Sequence, residues 1–287
     1  MGISVDVRLI RKIARELNAP VEHPKPLVVG GARELAAVLR RELSRGAKPG
    51  AVREDDAPEG AGILVYVLGG EPTEEDRRAL QRAREARVPV VAVVTGRAGE
   101  EPALPWVLAT DVLQVAPGEG FPVPEIAEVV AARLGKEAAP LAGRLPVLRG
   151  PVSEEIVTAF ARKNAVVGAV VFIPGADLPV LTLNQIRMLV RLGQVHGRDT
   201  GRDLLAESVA TVAAGLGFRT LARQLLDVVP VAGWAVKSAV AYAGTRALGE
   251  AAVWRLGSLE VEGSPGGHDD GGDGPRRPPA GASPGGP

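Results

Sequence analysis

Residues 27–39, Leu27-Val28-Val29-Gly30-Gly31-Ala32-Arg33-Glu34-Leu35-Ala36-Ala37-Val38-Leu39, pass from an apolar run through a glycine pair straight into helical spacing. Leu35, Val38, Leu39 and Leu43 recur every three or four residues, the interval of an amphipathic helix. The segment therefore reads as a strand feeding a helix.

Downstream the alternation continues. Ile63-Leu64-Val65-Tyr66-Val67-Leu68 is an unbroken apolar strand. Pro72-Thr73-Glu74-Glu75-Asp76 opens a helix, with Thr73 as cap and acids in the first turn, running to about Arg87. Val88–Val94 is a second buried strand, Val112–Val115 a weaker one, and a helix follows over 124–134. Continuous apolar strands alternating with helices indicate a parallel sheet covered on both faces. The reading gives four strands in a small three-layer α/β domain over residues 23–136, with residues 46–60 a loop rich in Gly, Pro and charge.

On the amino-terminal side, Leu9, Ile10, Ile13 and Leu17 give residues 1–22 an amphipathic helix, broken by Pro20, Pro24 and Pro26. Residues 1–6 carry neither the basic flank nor the apolar core of a signal peptide. On the other side, Pro140, Gly143, Pro146, Gly150 and Pro151 mark 137–152 as a linker.

From Ser153 the pattern becomes helix after helix, giving a helical domain over 153–256. Ser153 before Glu154-Glu155 reads as the cap of a helix through about Val171. Thr182 and Gln185 have capping-box spacing, with Leu181 and Ile186 placed as a hydrophobic staple. Further helices are expected over 203–226 and 231–255. Residues 257–287, mostly Gly, Pro, Ser and Asp, lack the apolar content to fold and read as a disordered tail.

The helical half resembles the bacterial family catalogued as domain of unknown function 697, the YcjF-type proteins. The matching stretches are Phe160–Val167, Ile173–Pro179, Leu181–Met188, and Pro230–Trp234 leading to Ala241–Thr245, covering about 153–255. The resemblance implies a helical domain found in predicted membrane proteins and also joined to GTPase domains, with no assigned chemistry. The α/β half resembles a GTPase domain in outline only.

Three elements of GTPase chemistry fail in the sequence. A phosphate loop, GxxxxGK[ST], needs glycines to bring amides around the phosphates, Lys to neutralise them and a hydroxyl for magnesium. Gly30-Gly31-Ala32-Arg33-Glu34-Leu35 lacks the second glycine at loop spacing, the lysine and the hydroxyl. The magnesium and water-positioning elements would fall in the loop 46–60. The guanine-reading [NT]KxD would fall on Thr95-Gly96-Arg97-Ala98, where only the threonine matches. The expectation is a degenerate, non-enzymatic domain that binds no cofactor.

Other chemistries find little support. Lys+Arg and Asp+Glu are each 34, a net charge of +0 that argues against nucleic acid as a partner. Cys is 0, which removes disulfides and thiolate metal sites and fits a cytoplasmic setting. His23, His196 and His268 share no metal-ligand spacing, and His196-Gly197 reads as a helix end. The acidic run His268–Asp273 lacks the terminal Glu of a calcium loop. Gly215-Leu216-Gly217 has no strand before it and reads as a helix junction rather than a dinucleotide turn.

The candidate interaction residues are Pro174, Asp177, Gln185 and an alanine ladder, Ala235, Ala239, Ala243, Ala247 and Ala251. Residues four apart form one helix ridge, and methyl groups let another helix approach closely. The expected occupant is a helix of the same bundle, with lipid or a second copy as alternatives. A span needs about 20 apolar residues. The stretch from Asn164 to Ala176 is charge-free but too short, and Asp227, Lys237, Arg246 and Glu250 interrupt the ladder region. The sequence thus points to a membrane-associated or membrane-proximal assembly module at the inner face of the cell membrane, with a protein partner or self-association. A soluble regulator pairing with a true GTPase and a residual nucleotide-binding protein are the alternatives.

Overall fold

In the computed structural model, residues 24–53, 57–96, 104–170, 178–198, 208, 211 and 233–262 are described. The expected amino-terminal helix, Pro174, Asp177, the expected helix at 203–226 apart from 208 and 211, and the tail beyond Glu262 lie outside them.

Strand β1 (Leu27–Gly31) pairs in parallel with β2 (Val52–Arg53) on one side and β3 (Ile63–Leu68) on the other. The sheet continues through β4 (Val90–Thr95) and β5 (Val112–Val115), all parallel, in the order β2-β1-β3-β4-β5. This is an α/β sheet with five strands, not four. β2 escaped the sequence because it is two residues in a polar loop; the amide of Leu27 secures its approach by donating to the Ala51 carbonyl at 2.9 Å. All six side chains of β3 are buried, as a central strand covered on both faces requires.

One face is covered by α1 (Arg33–Leu43) and α3 (Val123–Leu134), the other by α2 (Glu74–Glu85) and the turn at Leu104–Val107. In α1 the core-facing set is Ala36, Leu39 and Leu43, while Val38 is exposed. The helix α2 starts as its sequence indicates: the Asp76 amide donates to Thr73 Oγ1 and the Thr73 amide donates to the Asp76 carboxylate, a reciprocal capping box. Arg133 of α3 donates to the buried Asp111 at 2.6 Å and to Thr110 at 2.9 Å, pinning the start of β5.

Residues 137–152 are not a linker. They form a 3-10 turn, α4 (Ala138–Ala142), a second 3-10 turn at Pro146–Leu148 and the first residues of α5 (Arg149–Val170). Ala138, Ala139, Leu141, Ala142, Leu145, Leu148 and Val152 are buried in the core that also holds Leu27, Ile63 and Val91. The prolines misled because each stands in the first turn of its element, where a missing N–H is not needed. An added Cβ at Gly143 would lie 2.4 Å from the Gln194 carbonyl, so the segment is pressed against α6 (Leu178–Val195). Arg144 also donates to the Pro49 carbonyl at 2.6 Å, and its own carbonyl accepts from the Lys48 amide at 2.7 Å. Among the described residues, sheet and helical region share one continuous core.

Three boundaries in the helical region differ from expectation. α5 begins at Arg149, so Ser153 is interior and buried, and its Oγ has no hydrogen-bond partner among the described residues. α6 begins at Leu178, so Thr182 and Gln185 lie inside the helix and form no capping box. α7 runs Gly233–Glu262, six residues into the stretch read as tail. The end of α6 matches: Gly197 has φ 71°, and the Arg198 and Gly197 amides donate to Gly193 and Gln194 at 2.9 Å, a Schellman closure after His196.

Candidate functional site

The order β2-β1-β3 sends the chain from β1 one way and from β3 the other. In open parallel sheets the ligand crevice lies at such a switch point, outside the carboxyl ends of the strands. Here those ends are Gly31 and Leu68.

The crevice is closed by the chain's own backbone. Gly31 has φ 101°, a conformation for glycine, and an added Cβ would lie 2.0 Å from the Val67 carbonyl oxygen. The next amide, of Ala32, donates to that oxygen at 2.8 Å. One residue separates β1 from α1, so no loop of free amides surrounds an anion. Gly69 is the following wall: an added Cβ there would lie 3.5 Å from Ala32 Cβ and 4.0 Å from Leu35 Cδ1. On the far side Thr95 Oγ1 donates to the Leu68 carbonyl at 2.9 Å, which occupies the one side chain that fits the guanine-reading pattern. Arg97 and Ala98 lie outside the described residues.

Beside the crevice, Tyr66 Oη donates to Asp76 Oδ1 at 2.8 Å, while Thr73 Oγ1 and the Thr73 amide donate to Oδ2 at 2.6 and 2.8 Å. Burial alone would raise the Asp76 carboxyl; the hydrogen bonds from Thr73 and Tyr66, with Arg77 nearby, outweigh it and hold the group below the usual carboxylate range. Three donors on one carboxylate anchor α2 to β3 and use the group structurally.

The helical region is held by a buried polar chain. Asn184 Nδ2 of α6 donates to Asn164 Oδ1 of α5 at 2.7 Å, and Asn164 Nδ2 donates to Thr245 Oγ1 of α7 at 2.9 Å. Thr245 Oγ1 donates in turn to the Ala241 carbonyl at 2.7 Å. All three residues are buried. Sequence reading missed this chain; the available signal was an asparagine on each of two neighbouring helices, Asn164 at the start of the apolar stretch after Lys163 and Asn184 between Leu183 and Gln185. Gln185, expected as an interaction residue, is buried beside it, but its Nε2 has no hydrogen-bond partner among the described residues.

The alanine ladder is where the structure departs furthest from expectation. Ala235, Ala239, Ala243, Ala247 and Ala251 are all exposed. α7 instead turns its Ala241, Thr245 and Gly249 side inward. An added Cβ at Gly249 would lie 2.6 Å from Val157 Cγ2, and one at Gly168 would lie 3.1 Å from Ala241 Cβ. Close packing occurs through glycines, on a different ridge. The ladder shares its outward side with Val240, 43% exposed, and Trp254, 76% exposed.

Among the described residues no group of three or more His, Cys, Asp or Glu is placed to hold a metal ion. No helix among them is long and apolar enough to cross a membrane. No family model matches the chain, and no curated protein matches it.

Proposed function

We propose that this chain is a non-enzymatic binding and assembly module working at or near the inner face of the bacterial cell membrane. The observation that carries the reading is the Ala32 amide bonded to the Val67 carbonyl. It uses the first donor of the strand-to-helix turn on the fold itself, at the position where a nucleotide-binding sheet presents amides to phosphate. The α/β half is then a scaffold with binding surfaces rather than a hydrolytic centre.

The helical half supplies assembly or membrane docking. Support comes from the outward stripe of α7, where five alanines, Val240 and Trp254 face solvent. The resemblance of residues 153–255 to the YcjF-type family points the same way. Fractionation of cells expressing the full chain tests this, with an alkaline wash of the membranes. The reading expects the chain in the membrane fraction and its release by the wash, as for a peripheral protein. Complete recovery in the soluble fraction, with no flotation on lipid vesicles, would overturn the membrane part and favour the soluble regulator.

A further inference from the structure

The polar chain puts Asn164, Asn184 and Thr245 at one level of α5, α6 and α7. α5 runs antiparallel to the other two. Gly168 meets Lys237 and Ala241 while Val157 meets Gly249, and Arg191 lies over the Phe160 ring. The last turns of α5 and the first turns of α6 and α7 therefore make up one end of the helical region. It is the end away from the sheet, since Val152, Phe160, Leu192 and Leu256, which share the sheet's core, all belong to the other.

Charge on this end has one sign. Residues 156–170, 178–197 and 233–249 hold Arg162, Lys163, Arg187, Arg191, Lys237 and Arg246 but no Asp or Glu, in a chain of net charge +0. Acids begin nearer the sheet, at Glu154 and Glu250, which Arg246 pairs with at 3.0 and 2.7 Å. Arg162, Lys163 and Lys237 are exposed. Beyond the level of Asn164, Lys237 is the one charged residue among those described.

The large apolar side chains exposed beyond that level are Val166 at 62%, Val180 at 43% and Val240 at 43%. They do not form one face. Val166 lies two residues from both Asn164 and Gly168, about half a turn from the side of α5 that meets α7. Val240 shares the outward side of α7 with Ala239 and Ala243, and Val180 stands on α6. A protein partner seals one side of a bundle. Apolar exposure around an end, above a collar of cations without acids, fits a fluid surface that closes on every side and carries negative headgroups.

We propose that this end of the helical region dips into an anionic phospholipid bilayer, with Val166, Val180 and Val240 below the headgroups and Arg162 and Lys163 among them. From Asn164 to Val170 the helix rises about 9 Å, the depth of an interfacial insertion rather than a span. Lys237 has a stem long enough to return its ammonium to the headgroups. Asn164, Asn184 and Thr245 satisfy one another, as polar groups bordering hydrocarbon must. The proposal rests on the membrane part of the proposed function and narrows the contact to one end, leaving Trp254, past Glu250 on α7, outside it.

Because Cys is 0, a single introduced cysteine reports one position. Val166→Cys, Val240→Cys, Trp254→Cys and, on the α/β half, Leu108→Cys are each made in the full chain and labelled with an environment-sensitive dye. Each is mixed with phosphatidylcholine vesicles, with and without about 30 mol% phosphatidylglycerol. The expected result is binding to the anionic vesicles only, with the dye blue-shifted in Val166→Cys and Val240→Cys and unchanged in the other two. Val166→Asp should lower partitioning about tenfold or more and Lys163→Gln about fivefold, with melting temperatures within about 2 °C of the wild type. Binding without a shift in Val166→Cys and Val240→Cys would overturn the proposal and leave membrane association standing. Equal binding to neutral vesicles would overturn the role of the cations, and with it the proposal. No binding to either kind of vesicle would overturn the proposal and the membrane reading together.

Discussion

Gly31 and Val67 meet so closely that no other residue fits at position 31: an added Cβ would lie 2.0 Å from the Val67 carbonyl oxygen, at φ 101°. Gly31 is paired with Val67 in the sheet register, so neither backbone can retreat without breaking the ladder between β1 and β3. Gly31→Ala is therefore expected to destabilise the chain by about 3 kcal/mol or more. Urea unfolding measures it. A loss under about 0.5 kcal/mol, typical of open surface, would mean the turn is not closed on β3.

The buried Asn164–Asn184 hydrogen bond predicts a non-additive pair. Asn184→Leu leaves Asn164 Oδ1 without its donor and should cost about 1–3 kcal/mol. Asn164→Leu/Asn184→Leu together should cost less than the sum of the singles, because residues in one network couple. Simple additivity in a double-mutant cycle would contradict the network.

The outward ladder predicts a contrast along α7. Ala243→Ser, on the exposed ridge, should change stability by no more than about 0.5 kcal/mol. Gly249→Ala should destabilise by about 1–2 kcal/mol despite alanine's better helix propensity, because its Cβ meets the buried Val157. Thermal melts of the two variants decide which ridge packs. The reverse order would restore the ladder as the internal contact.

Asp76 sets a pH dependence. Its folded carboxyl lies below the ordinary value, so its contribution is present above the unfolded pKa and is lost as pH falls through the folded one. The stability difference between the wild type and Asp76→Asn should be largest at neutral pH and shrink below about pH 4. Urea melts across that range measure it. A difference that grows on acidification would contradict the capping arrangement.

The sheet was legible because its strands are continuous apolar runs. Ile63–Leu68 has the unbroken apolar run of a strand covered on both faces, and Thr73 with Asp76 announces its helix by spacing alone. β2 was not legible, since Val52–Arg53 owes its strand to an edge partner rather than to its own pattern. The segment 137–152 looked like a linker because proline frequency says nothing of position within a turn. The ladder was misread for a related reason. Spacing identifies a ridge but not its orientation, and the glycines Gly168 and Gly249, not the alanines, mark the side that another helix approaches. The closure of the crevice was half legible: sequence shows that lysine and hydroxyl are missing, but the Ala32–Val67 hydrogen bond follows from strand register.

The most direct measurement is calorimetric titration of the full chain with GDP, GTP and ATP in the presence of magnesium. With the Ala32 amide committed to Val67, no saturable binding is expected with Kd tighter than about 1 mM, and no nucleotide should raise the melting temperature. Micromolar binding of any of the three, lost on substitution at Arg33 or Gly69 beside the turn, would contradict the account.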